Sequence, residues 1–200
     1  MNPNSYLNKN LLTPEMKPTR DGYGDGLVLA GEKNKNIVVL CADLTESTRS
    51  LAFQKKFPER FVELGVAEQN LASVAAGMAL ARKIPFISSY ATFSPGRNNE
   101  QIRTTICYNE ANVKIAGAHA GISVGPDGAT HQALEDIGLT RMMPNMTVIV
   151  PCDYEEAKKA TLAAAELVGP VYLRFTREKS AIVTTNDTPF KIGRAEVFKD

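Results

Sequence analysis

The chain has 200 residues, 44% hydrophobic and 22% charged, which suits one ordinary soluble domain with room for a full core. A formal net charge of +1 recommends neither nucleic acid nor an anionic membrane surface as a partner. Its three cysteines, Cys41, Cys107 and Cys152, lack metal-ligand spacing and are expected to be small core residues of a cytoplasmic protein.

Residues 1–20 are polar, with Pro3, Pro14 and Pro18, and predict an extended arm without the apolar stretch of a signal peptide. No run of the chain reaches the length of a membrane span. Asp21 to Glu32 predicts a helix that contains Gly24-Asp25-Gly26. A metal-diphosphate signature would need asparagines two to three dozen residues further on, and no Asn-Asn pair follows at that distance. The tripeptide is therefore expected to be a turn or helix start, with no metal site. Ile37 to Ala42 is a continuous apolar run, the pattern of a strand buried on both faces, and it ends in the polar Asp43-Leu44-Thr45-Glu46-Ser47-Thr48.

Phe61 to Val66 is a second short run, broken at Gly65, before a helix that continues to Leu80. Glu68 falls in the first turn of that helix, just beyond the strand. In an open parallel sheet, that edge is where ligands bind. An acid there also complements a helix N-terminus, so position alone leaves both roles open.

Ile84 to Tyr90 predicts a strand leading into Thr92-Phe93, and Asn98 to Asn109 reads as a helix with Ile102 and Ile106 four apart. Val113 to Ala118 predicts a strand, followed by a glycine-rich loop from His119 to Thr130 and a helix from Gln132 to Met143. Thr147 to Val150 predicts a strand, and Asp153 caps a helix to about Leu167. Val171 to Phe175 predicts the last strand, after which the chain turns polar from Thr184. Strands alternating with helices argue for an α/β fold, an open, mostly parallel sheet with helices on both faces. The expected domain spans 21–183, with 184–200 a linker toward a C-terminal domain that this chain lacks.

Asp43 and Ser47, Glu68, Phe93, the loop from His119 to His131, and Arg177 all fall at strand ends or in the loops beyond them. Gly65-Val66-Ala67-Glu68-Gln69, Ala91-Thr92-Phe93 and Gly125-Pro126-Asp127-Gly128-Ala129-Thr130-His131-Gln132 resemble the pyrimidine-binding domain of transketolase. Ala42-Asp43-Leu44-Thr45-x-Ser47 and Thr176-Arg177 match further positions in the same order, so the similarity runs from about Arg20 to Arg177.

The resemblance implies thiamine diphosphate as cofactor, bound here through its pyrimidine half. The family uses a carboxyl group that shares a proton with pyrimidine N1′, so that the 4′-nitrogen can take the thiazolium proton. Such a group works best when partly desolvated, with a raised pKa. By resemblance this group is Glu68. Phe93 would stack on the pyrimidine, and Asp43 would lie near the thiazolium side. Asp127 and His131 would face the hydroxyls at the reacting carbon of a sugar donor, with His119 reaching its phosphate or remote hydroxyls. Arg20, Ser47 and Arg177 match the positions that hold the substrate phosphate.

The pattern also departs from the family. Gly96 and Asn99 stand where further aromatics are usual, Pro126 replaces an acid, and Ala120-Gly121 replaces Asp-Ser. Neither a diphosphate- and Mg²⁺-binding domain nor a C-terminal domain is found in the sequence. The expectation is therefore one subunit or fragment of a split transketolase, acting on sugar phosphates. It would dimerise through this domain and form a heterotetramer with a diphosphate-binding companion that supplies Mg²⁺. The rivals are a 1-deoxyxylulose-5-phosphate synthase, which has an acid at the His119 position, and a non-catalytic binding or regulatory subunit with the same fold.

Overall fold

The computed structural model describes residues 6–198. Residues 1–5 of the expected arm and 199–200 of the expected linker lie outside the described residues. The apolar runs form one six-stranded parallel sheet from β2 (Ile37–Cys41), β3 (Phe61–Glu63), β4 (Ile84–Tyr90), β5 (Lys114–Ala118), β6 (Thr147–Ile149) and β7 (Val171–Arg174). Their spatial order is β3-β2-β4-β5-β7-β6. The chain steps outward from β2 to β3 and then returns to β4 on the other side of β2. Such a reversal opens a crevice at the carboxyl ends of the strands.

The strands are apolar on both faces because both faces are covered, and alternate residues serve opposite layers. Leu40, Ile87, Ile115 and Tyr172 pack with Leu71, Ala72 and Ala75 of α3 (Glu68–Leu80) and with Ile102 and Ile106. Val39, Phe86, Ala116 and Leu173 pack with Tyr23 and Leu27 of α1 (Thr19–Lys33) and with Ala157, Ala160 and Ala164 of α6 (Tyr154–Glu166). No helix among the described residues is long and apolar enough to cross a membrane.

Several local expectations need correction. Gly24-Asp25-Gly26 is neither a turn nor a helix start, but lies inside α1. Glycines along this helix serve close approach. A Cβ on Gly22 would stand 2.1 Å from the Tyr154 carbonyl oxygen, and one on Gly26 would stand 2.8 Å from Thr161 Cβ. Gly22→Ala is accordingly expected to destabilise the chain by about 2 kcal/mol, lowering its melting temperature by roughly 4–8 °C. An unchanged melting curve would show that α1 and α6 can separate at no cost.

The helix expected over 132–143 is reduced to α5 (Asp136–Arg141), because Gly121 and Ala133 form a β-bridge that holds the preceding residues to the loop. The helix expected over 98–109 is a short α-turn, Asn99–Gln101, that continues as a π-helix over Ile102–Cys107. Cys41 and Cys107 are buried as expected, but Cys152 is exposed at the start of the loop before α6.

The segment before the domain is tied down. The short strands β1 (Met16–Lys17) and β8 (Ser180–Ala181) pair antiparallel. Buried Asp153 caps α6 through the Glu156 N–H (2.9 Å) and also accepts from the Val183 and Thr184 N–H groups and the Thr184 hydroxyl.

Candidate functional site

The carboxyl ends of β2, β3, β4, β5 and β7 share one edge, and the polar residues singled out in the sequence come from the segments that leave it. Glu63, at the end of β3, organises the first two of these segments. Its carboxylate accepts from the Asp43 N–H (2.7 Å), the Thr45 hydroxyl (2.9 Å) and the Gly65 N–H (2.9 Å). Asp43 is exposed with a positive φ of 56°. Asn and Asp tolerate that conformation better than most residues.

Glu68 opens α3 with only 2% of its surface exposed. Its carboxylate accepts from the Ser89 hydroxyl at 3.0 Å through Oε1 and from the Arg97 guanidinium at 3.1 Å through Oε2. Its backbone carbonyl accepts from Asn98 Nδ2 at 3.0 Å. A buried charge needs such partners, since an unpaired one costs several kcal/mol. Outside the carboxylate lies an open cavity of about 470 Å³ lined by Val66, Ala67, Glu68, Gln69, Asn70 and Arg97.

From Glu68 the contacts run through a line of planar groups. The Arg97 guanidinium lies 4.0 Å from the centre of the Phe93 ring. Phe93 is stacked parallel to Tyr90 at 5.9 Å and meets His131 edge-on at 5.3 Å. Tyr90 in turn stacks on His119 at 3.9 Å. Four residues from two strand ends, those of β4 and β5, therefore form one continuous aromatic wall.

His119 is 1% exposed, and its Nε2 lies 3.0 Å from Arg20 Nη1, which also donates to the Ser47 carbonyl at 3.0 Å. A guanidinium has no acceptor, so the imidazole must accept through Nε2 and carry its proton on Nδ1. Burial, reinforced by the positive charges of Arg20, Arg177 and Arg49, pushes the His119 pKa down to about 3. The neutral ring's Nδ1 is buried without a partner among the described residues, as is Nε of Arg20. Two orphaned donors at one place call for an acceptor from outside the chain.

Arg177 pairs with Glu178 at 2.8 Å and runs under the loop at Gly125, where a Cβ would stand 2.5 Å from its Nη1. His131 is half-buried, with Nδ1 2.9 Å from the Thr130 hydroxyl. Asp127 is exposed on the same loop, and its carboxylate takes no hydrogen bond among the described residues. Thus Glu68, Phe93, His131, His119, Arg20 and Ser47 are joined by one chain of contacts that passes through Arg97 and Tyr90, with Arg177 close by. Asp43 and Asp127 sit on neighbouring loops without joining that chain of contacts.

Ser89, Tyr90, Arg97, Asn98 and Arg49 escaped the sequence reading. Ser88-Ser89 was the available signal, since paired serines in a fully buried strand demand polar partners. Ser88 meets the Tyr23 hydroxyl at 2.7 Å, and Ser89 meets Glu68. Arg49, held by Asp21 at 2.6 Å, adds positive charge beside Arg20. Among the described residues, no group of three or more His, Cys, Asp or Glu could hold a metal ion.

Residues 15–181 match the family described as transketolase, pyrimidine binding domain. The chain is 47% identical over 186 residues to a putative transketolase C-terminal section of Methanocaldococcus jannaschii, covering 92% of this chain and 59% of that one. It is 38% identical over 180 residues to human transketolase, covering 90% of this chain but 29% of that protein. Among solved structures it is similar to a split-gene transketolase described as an inactive β4 tetramer, with TM-score 0.82, 48% identity, and coverage of 92% of this chain and 58% of the other. Transketolase of Campylobacter jejuni aligns with TM-score 0.77 and 25% identity over 86% of this chain and 27% of its own. The chain therefore spans well under two thirds of the length of each of these relatives.

Proposed function

Because the chain belongs to the transketolase pyrimidine-binding domain family, we propose that it builds the pyrimidine half of a thiamine diphosphate site in a transketolase assembled from separate chains. A companion chain holds the diphosphate and Mg²⁺, and the pair transfers a two-carbon ketol unit from a ketose phosphate to an aldose phosphate. The observation that carries this reading is Glu68, a carboxylate buried at a helix start and bordering an open cavity, beside an aromatic wall. The residues present suit the cofactor: an acid for a ring nitrogen with open space outside it, and the Phe93 ring nearby for the heterocycle.

When bound, the cofactor supplies the carbon centre that carries the ketol unit. The protein's part is binding, orientation and proton control. Glu68, held by Ser89 and Arg97, would hold N1′ of the pyrimidine through a carboxyl oxygen, with one proton shared between the two, and so would favour the imino form. Phe93 fixes the plane of the ring. On the substrate side, the neutral His119 offers its Nδ1–H to an oxygen, while Arg20, Arg177 and the Ser47 hydroxyl receive the phosphate. Asp127 and His131 face the donor's hydroxyls.

Two relatives support the split arrangement: one is described as a C-terminal section, and the other as a β4 tetramer inactive in that form. By analogy this chain pairs with itself and combines with two diphosphate-binding chains in a heterotetramer. The experiment is to mix the chain with a diphosphate-binding transketolase chain, thiamine diphosphate and Mg²⁺, and to assay ketol transfer from xylulose 5-phosphate to an aldose phosphate. Turnover is expected from the mixture and from neither chain alone. Turnover only with pyruvate and glyceraldehyde 3-phosphate would transfer the chain to the synthase class. A stable complex with no turnover from any donor would make it a binding subunit.

A further inference from the structure

Given Glu68 and Phe93 as the pyrimidine seat, on which this inference rests, we propose that Arg97 is the positioning residue that sets the acid against the stacking ring, with Asn98 as its support. Arg97 lies four residues after Phe93 across a turn, its N–H donating to the Phe93 carbonyl at 2.8 Å. The turn brings side chain 97 over side chain 93. The guanidinium then does two things at once: it covers one face of Phe93 at 4.0 Å and donates to Glu68 Oε2 at 3.1 Å. Asn98, next in sequence and fully buried, reaches the Glu68 main-chain carbonyl at 3.0 Å and the Ser94 hydroxyl at 3.1 Å. Consecutive residues thus grip the acid by its carboxylate and its backbone, while the first of them also holds the ring.

The grip does not saturate the seat. Ser89 and Arg97 each use one lone pair on a different carboxylate oxygen, so both oxygens keep acceptor capacity for a ring nitrogen. Backing Phe93 at 4.0 Å while paired with Glu68, Arg97 fixes the ring's place relative to the carboxylate. The family's usual further aromatics are absent here, at Gly96 and Asn99, and a planar cation supplies part of the support they would give. Only arginine can do this. A lysine ammonium has the charge but no plane to stack while it donates along its edge.

The test measures thiamine diphosphate affinity by titration calorimetry on the chain assembled with its diphosphate-binding companion, beside kcat and KM. Arg97→Met is expected to weaken cofactor binding about 10-fold and to lower kcat as well as raising the cofactor KM. Arg97→Lys is expected to recover little of this, staying within about threefold of the Met variant. In a Glu68→Gln background, Arg97→Met should weaken affinity by clearly less than it does in the natural chain, because only its cover of Phe93 remains to be lost. Arg97 has half of its side chain exposed, so the variants should fold, and melting curves check this. Unchanged affinity in Arg97→Met overturns the proposal. Tighter binding also overturns it, since the guanidinium would then be competing for the seat. If Phe93→Ala and Glu68→Gln leave affinity unchanged too, the seat itself has been misassigned. If those two weaken binding and Arg97→Met does not, only the positioning role fails.

Discussion

Glu68→Gln is expected to cost the assembled enzyme at least about 100-fold in turnover while leaving the chain folded. Glutamine keeps the size of the side chain, and its amide oxygen can still accept from the Ser89 hydroxyl that now sits 3.0 Å from Oε1. What it loses is the ability to exchange a proton with a ring nitrogen. The structural penalties are small. An acid in the first turn of α3 is worth about 0.3–1 kcal/mol against the helix dipole. Its ion-pair partner Arg97 is half exposed, so the guanidinium left behind can turn to water. A fall in melting temperature of no more than about 4 °C should accompany the loss of activity. Near-normal turnover in this variant would end the acid-base assignment, and collapse of the fold would mean that Glu68 is chiefly a helix-start residue.

Acid should weaken the fold through His119. The folded imidazole has its pKa pushed down to about 3 by burial first and by the surrounding arginines second, against 6.5 for the ordinary group. As pH falls below 6.5, the unfolded chain takes up a proton that the folded chain refuses, so protonation favours unfolding. The contribution is intact above pH 6.5 and declines progressively down to about pH 3. Over that window it amounts to at most about 5 kcal/mol at 1.36 kcal/mol per pH unit. Urea unfolding between pH 4 and pH 8 should therefore show a steeper acid loss in the natural chain than in His119→Gln, which has no proton to take up there. Parallel pH profiles would mean that the ring is hydrated in solution and that its neutral state is not enforced by the fold.

The architecture was readable because it follows from patterns that act over short distances. The run Ile37 to Ala42 is apolar at every position, and only a sheet covered on both faces uses such runs. The placement of the proposed site residues was readable for a related reason: parallel strands place all their carboxyl ends on one edge, so residues far apart in sequence come together once the strands are recognised. Glu68, Phe93, His119 and His131 came out of that logic together with family resemblance. Asp127 came out of it too, yet the structure leaves its carboxylate without a partner among the described residues.

The partners of those residues were beyond reach. Nothing near Gly24-Asp25-Gly26 shows that Arg49 will press on Gly24 and α6 on Gly26, and without those contacts its glycines read as a turn. Nothing at Arg97 or Ser89 announces that both will end on the same carboxylate, from sequence separations of 29 and 21 residues. The shortening of α5 likewise depends on a bridge between Gly121 and Ala133 that helical periodicity cannot register.

By itself, then, the sequence determined the layers of this protein, the order of its elements and the edge where the proposed site residues gather. These follow from hydrophobic period and strand direction, which are properties of a chain segment. Only the tertiary structure decided which donors hold Glu68, why His119 is neutral and how closely α1 meets α6. Each of those depends on desolvation and on partners from distant segments, quantities that exist only once the chain has closed around them.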